Sequence, residues 1–252
     1  MEPGPPSPTA TDDSLADRPD GPVTRYLPAT RKGWVISVIA MLYGAGTIGY
    51  MIGARPASRP AGDSVDVQFL QDMISHHEQA IELSNVELVR GVDGVVKGFA
   101  REILTFQAYE IGIMEGMLAD WGRSPQDRAE TAMAWMGLPP VPVEQMPGMA
   151  SEDEMRLLGQ AEGVAVDALF VPLMQDHHRG GVHMADHAAG AASDPAVRAL
   201  AARMARNQRI EIGELESARQ RAALDPSPAG YVPAEIPADS ADPETGHGDH
   251  GG

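Results

Sequence analysis

The stretch FLQDMISHH at residues 69–77 is answered by FVPLMQDHH at residues 170–178, and these two nonapeptides decide the fold. Phe69, Met73, His76 and His77 recur as Phe170, Met174, His177 and His178, each displaced by 101 positions. The same displacement carries Asp66 to Asp167 and Asp93 to Asp194. It also carries Gln107, Glu110, Ile111 and Gly112 to Gln208, Glu211, Ile212 and Gly213. No gap is needed across two segments and the turn between them, so what repeats is a pair of elements.

Those elements read as helices. Asp63 or Ser64 caps the first, which runs to about Arg90 and stops at Gly91. The second spans about Asp93 to Trp121 and ends at Gly122 and Pro125. Ser151 with Glu154 spells a capping box for a short helix. A third long helix covers about Gly163 to Ala189 and stops at Gly190. The fourth starts at Asp194, with Pro195 in its first turn, and ends near Asp225-Pro226. Pro172 lies inside the third and predicts a local bend beside Met174. The expected architecture is all-α. Two duplicated helical hairpins, residues 63–122 and 151–224, bury their apolar stripes against each other as a four-helix bundle, joined by a Pro- and Met-rich linker over 123–150.

Outward from this body the chain changes character. Residues 1–32 and 225–252 are rich in Pro, Asp and Gly, without apolar period, and read as disordered tails. Between the first tail and the bundle, residues 33–54 carry no charge (GWVISVIAMLYGAGTIGYMIGA). A helix of that length matches a hydrocarbon core of about 30 Å. Arg25, Arg31 and Lys32 before it, against Arg55 and Arg59 after it, place the N-terminus in the cytoplasm. A single-pass anchor in the cell membrane with the bundle outside the cytoplasm is therefore expected. A cleaved signal peptide and a secreted chain is the alternative, opposed by the long polar segment in front of the run.

Bulk composition narrows the partners. A formal charge of −17 repels phosphate, so no nucleic-acid partner is expected. Cysteine is absent, which excludes disulfides and thiolate ligands, whereas fourteen Met and eight His supply thioether and imidazole, both suited to copper.

At about 100° per residue, Asp66, Met73 and His77 share one stripe with His76 beside it, and Asp167, Met174, His178 and His177 repeat it. On the partner helices Gln107, Glu110 and Met114 share a face, repeated as Gln208, Glu211 and Leu215. Each hairpin thus offers imidazoles from one helix and a carboxylate from the other, the way bundles assemble metal sites. Glu110 and Glu211 serve either as ligands or as groups that orient the imidazoles. His183 and His187 add an i, i+4 pair that the first copy lacks, where Glu82 and Val86 stand; surface histidines are the ordinary account of such a pair. The MPGM segment, residues 146–149, either supplies soft thioethers or covers the bundle end as an apolar loop. The HGDH near the C-terminus either collects metal loosely or, as the favoured account, is simply a flexible polar tail.

DMISHHEQAIELS and, more fully, MPGMASEDEMRLL with DALFVPLMQDHHRGGVHMADHA resemble the bacterial family known as domain of unknown function 305, over roughly residues 63–223. The resemblance implies a ferritin-like helical bundle, exported or membrane-anchored, with copper binding in some members. It marks His76-His77 and His177-His178 as the paired motifs, with Met73, Met174 and Met184 as accompanying positions. Leu83 stands where the second copy has Met184, so the halves are expected to differ, with the His183, Met184 and His187 side richer in donors.

The function that follows is binding of a metal ion for buffering or resistance. The metal is copper, with zinc or iron the alternatives. The candidate ligands are Met73, His76, His77, Glu110, Met174, His177, His178, His183, Met184, His187 and Glu211. A ferritin-like oxidase is opposed by the absence of the Glu-x-x-His motif of di-iron bundles. A structural or partner-binding bundle without metal is the third alternative, and a homo-oligomer is compatible with any of the three.

Overall fold

The computed structural model of the chain describes Trp34 and residues 38–39, 41–47, 59–124 and 127–236. The chain divides into two compact units, Met1–Ser58 and Arg59–Gly252. In the first, residues 41–47 are helical, with Met41, Leu42 and Tyr43 exposed. The anchor expected over 33–54 falls largely outside the described residues, as do the whole of the tail expected over 1–32 and residues 237–252 of the one expected over 225–252. Among the described residues no helix is long and apolar enough to cross a membrane.

The second unit is mostly helical. Four long helices carry it: α1 (Val65–Arg90), α2 (Gly94–Asp120), α4 (Val164–Ala191) and α5 (Pro195–Arg221), with the short α3 (Glu152–Gln160) before α4. Their starts follow from side chains that accept otherwise orphaned backbone N–H groups. Ser64 accepts from Val67, Asp93 from Val95 and Val96, and Asp194 from Ala196. Ser151 and Glu154 form the expected capping box. α4 continues through Pro172 and runs past the expected stop at Gly190 to Ala191. Its end is set two residues on, where the N–H groups of Ser193 and Asp194 turn to the Asp66 carboxylate, at 3.2 and 2.7 Å.

α1 packs on α2 and α4 on α5, and the two hairpins meet through α1 and α4. Asp66 of α1 lies at the C-terminal end of α4, and Asp167 of α4 at the C-terminal end of α1, so the central helices are antiparallel. Along both, two apolar clusters flank a polar layer. One gathers Phe69, Leu70, Met73, Met114, Met184 and Met204; the other gathers Leu83, Ile103, Phe170, Met174 and Leu215. Phe69 and Phe170 are fully buried, one in each cluster, and each contributes about 1.5–3 kcal/mol by leaving water. Between the clusters, on both helices, lie the His-His pairs.

The connection between the hairpins is more structured than a plain linker. It carries a two-residue antiparallel ribbon, β1 (Thr131–Ala132) with β2 (Val141–Pro142), and short 3-10 turns at 134–136 and 143–145. Residues 225–236, expected as part of the C-terminal tail, lie among the described residues. Tyr231 Oη and Ala234 N both donate to Asp176 Oδ2, at 2.5 and 2.8 Å, and tie residues 225–236 to the body.

Candidate metal centre

His76 of α1 and His177 of α4 meet in the polar layer, with ring centroids 3.8 Å apart and planes inclined by 39°. Both are fully buried. His177 Nε2 donates to the His76 carbonyl at 2.8 Å, and His76 Nε2 donates to the Pro147 carbonyl at 3.1 Å. Burial, reinforced by the neighbouring imidazoles, pushes His76 down to about 3 and holds His177 well below the usual histidine range, so both rings are neutral at physiological pH. A carbonyl only accepts, so the proton of each neutral ring sits on Nε2.

The outer members of the pairs are built alike. His77 Nε2 donates to Glu110 Oε2 at 2.9 Å, and His178 Nε2 donates to Glu211 Oε2 at 2.6 Å. Each bond joins an inner helix to its hairpin partner across 33 positions of sequence. In all four rings the opposite nitrogen, Nδ1, is buried without a hydrogen-bond partner. The amide groups of Gln107 and Gln208 are buried and unpartnered in the same way. Orphaned polar atoms are costly inside a protein, and here they concentrate on the residues common to the two nonapeptides and their partner helices. A ring fixed by a carboxylate or carbonyl at one nitrogen, with a bare lone pair at the other, is the arrangement in which histidine binds metals. Each of the four rings, taken singly, is therefore set up as a metal ligand.

Asp66 and Asp167 leave this set. Asp167 accepts from Val92 N and Asp93 N at 3.0 and 3.1 Å, as Asp66 does from Ser193 and Asp194. Each aspartate of one hairpin thus closes the turn of the other. Beside Asp167 lies Glu87, fully buried, whose carboxyl is pushed up to about 9 by burial and by the Asp167 carboxylate, and so holds a proton. Ala188 stands 101 positions on, so the displacement that relates the His pairs does not point to Glu87.

The linker crosses the layer instead of covering the bundle end. Asp72 Oδ2 accepts from Met133 N at 2.9 Å and from Trp135 Nε1 at 2.7 Å. Gln79 pairs with both backbone groups of Ala150, at 2.7 and 2.8 Å. Between these anchors the MPGM segment meets the His76 ring at the Pro147 carbonyl and the backbone of Asp176 and His177 at Gly148. Its approach to α4 needs two glycines: a Cβ on Gly180 would stand 1.8 Å from the Pro147 carbonyl oxygen, and one on Gly148, at φ +78°, 2.3 Å from that of Asp176.

The remaining candidates scatter. Met73 and Met184 share a cluster with Met114, Met146 and Met204, while Met174 lies in the other. His183 is buried; His187 is half-buried and stands edge-on to Trp135, ring centroids 5.5 Å apart. Among the described residues no three His, Asp or Glu side chains converge as a ready-made site.

The family model described as Domain of unknown function (DUF305) matches residues 66–219. The crystal structure of a DUF305 protein from Streptomyces coelicolor, described as secreted, is 33% identical, with 68% of this chain and 100% of that one covered and a TM-score of 0.61. A DUF305 fragment from Deinococcus radiodurans is 34% identical over 62% of this chain and 96% of its own, with a TM-score of 0.53. CopM in its Cu(I)-bound form is 24% identical over 62% of this chain and 96% of its own, with a TM-score of 0.50, a likeness of fold. No curated protein matches the chain.

Proposed function

The chain belongs to the domain of unknown function 305 family, and we propose that it binds a soft metal ion, copper first, through the paired histidines of two duplicated hairpins in a ferritin-like four-helix arrangement. One observation carries this: four buried imidazoles have Nε2 committed to a carbonyl or carboxylate and Nδ1 left bare. His76, His77, His177 and His178 supply nitrogen. Glu110 and Glu211 act by holding His77 and His178 rather than by taking the ion themselves. Met73, Met174 and Met184 are the thioethers nearest in sequence to these rings, and a low-coordinate monovalent ion suits a donor set of imidazole and thioether without thiolate.

The role is buffering or resistance. With both glutamates engaged at histidine, the carboxylates that a dinuclear oxidase uses are in short supply. Copper in CopM accords with this reading, which rests on the donors of this chain. The uncharged run over 33–54 supports a single-pass anchor with the bundle outside the cytoplasm, and the secreted relative accords with an extracytoplasmic place.

Titration of the full chain with Cu(I), Cu(II), Zn(II) and Fe(II) tests the proposal, alongside a variant with His76, His77, His177 and His178 all replaced by Ala. Tight Cu(I) binding that the variant loses is the expected result. Equal binding by both chains overturns it, and tight Fe(II) binding with oxygen consumption replaces it with the oxidase.

A further inference from the structure

Resting on that reading, we propose that Met146–Met149 is a gate over the His76–His177 pair and that Asp72 and Gln79 are the latches holding it shut. Asp72, His76 and Gln79 stand at i, i+4 and i+7, one face of α1. The outer two grip the linker on either side of the gate, at Met133 and Trp135 and at Ala150. The middle one, His76, donates to the gate itself at the Pro147 carbonyl. On the opposing helix the gate seats in a notch made by Gly180, where any side chain would collide with it.

Both central imidazoles are fully buried, so an ion reaches them only after something moves. α1 and α4 are continuous helices whose backbone bonds hold them along their length. Met146 and Met149 pack on one apolar cluster, but the gate has no helix of its own. One short 3-10 turn precedes it and a few hydrogen bonds tie it to the body, so it opens at less cost than either central helix. Lifting it breaks the His76–Pro147 bond, so Nε2 of His76 is freed at the moment the layer is exposed. Opening thus both admits the ion and releases one ring from its fixed tautomer. The competing entry lies on the other side of the layer, past Glu110 and Glu211, whose side chains keep 11% and 18% of their surface exposed.

The test compares the full chain with its Gln79→Ala variant, which loses both bonds to Ala150. A Gln71→Ala variant, which loses a bond to the Asp127 carbonyl outside the gate, is the control. Two rates are read: carbethoxylation of His76 and His177 by diethyl pyrocarbonate in the metal-free chain, located by mass spectrometry, and stopped-flow uptake of Ag(I). Loss of two hydrogen bonds is expected to raise both rates about ten-fold in Gln79→Ala and to leave Gln71→Ala at the wild-type rates. Faster carbethoxylation with no Ag(I) bound by any chain supports the gate and overturns the metal reading. Faster carbethoxylation with unchanged Ag(I) uptake places entry past the glutamates and overturns the gate as a route for metal. Unchanged carbethoxylation, with faster amide exchange at 146–150, overturns the gate itself.

Discussion

His76 and His177 meet between the two apolar clusters with ring centroids 3.8 Å apart, and His177 Nε2 donates to the backbone carbonyl of His76. Two neutral rings are thereby held in contact with both Nδ1 atoms bare, on helices that run in opposite directions.

This burial makes the metal-free protein sensitive to acid. The pKa of His76 lies near 3 in the folded chain, against 6.5 when free, and that of His177 is lowered too. Between those pH values the unfolded chain binds protons that the folded chain refuses, so stability falls as pH drops from about 6.5 toward 3. The slope reaches about 1.4 kcal/mol per pH unit for each ring. Urea denaturation from pH 7 to 4 is expected to show it, with a shallower dependence in a His76→Gln variant. Parallel profiles contradict it.

Glu87 acts in the opposite sense. Its pKa near 9 exceeds the ordinary 4.5, so from about pH 4.5 to 9 the folded chain holds a proton that the unfolded chain has lost, and stability declines as pH rises through that window. Glu87→Gln supplies a permanent donor to Asp167. Its stability relative to wild type is expected to grow between pH 6 and pH 9 in denaturant melts; a constant difference rules the effect out.

Asp66 joins α1 to the start of α5 by two backbone N–H groups. Asp66→Ala leaves them without that acceptor and is expected to cost about 1–3 kcal/mol in chemical denaturation. Asp66→Asn, which keeps an accepting oxygen, is expected to cost less. Equal losses from the two variants would show that the acceptor is not what matters.

Glu110 fixes the ring of His77. If metal binds at Nδ1, Glu110→Ala is expected to weaken Cu(I) binding about 10- to 100-fold, while Glu110→Gln, whose amide oxygen still accepts, loses less. A competition titration against a Cu(I) chelator reads both. Abolished binding in Glu110→Gln would instead mark the carboxylate as a ligand.

Much of this was legible from residues alone, and the limit has a physical cause. Ser64, Asp93, Ser151 and Asp194 announce helix starts because a cap is chemistry within three residues. The constant displacement of His77 and Glu110 onto His178 and Glu211 predicted two facing helices, and the contacts follow it. Asp66 and Asp167 lie on the His stripe by phase, but at the helix ends, where the backbone of the other hairpin claims them. Phase gives the face of a helix and not its neighbour. The path of the linker was hidden for a related reason: Asp72–Trp135 and Gln79–Ala150 are isolated contacts between residues 63 and 71 positions apart, with no period to betray them. His183 and His187 share a spacing, yet the Trp135 ring takes one of them.

The central claim is that the Nδ1 lone pairs are the metal donors. Long-range 1H–15N correlation of the histidine rings in the full chain, recorded before and after addition of Ag(I), measures this directly. The account predicts Nε2 protonated and Nδ1 bare in His76, His77, His177 and His178 without metal, followed by a large shift of Nδ1 resonances when Ag(I) is added. Nδ1 resonances that stay in place while the ion binds elsewhere, or rings protonated on Nδ1 from the start, would contradict it.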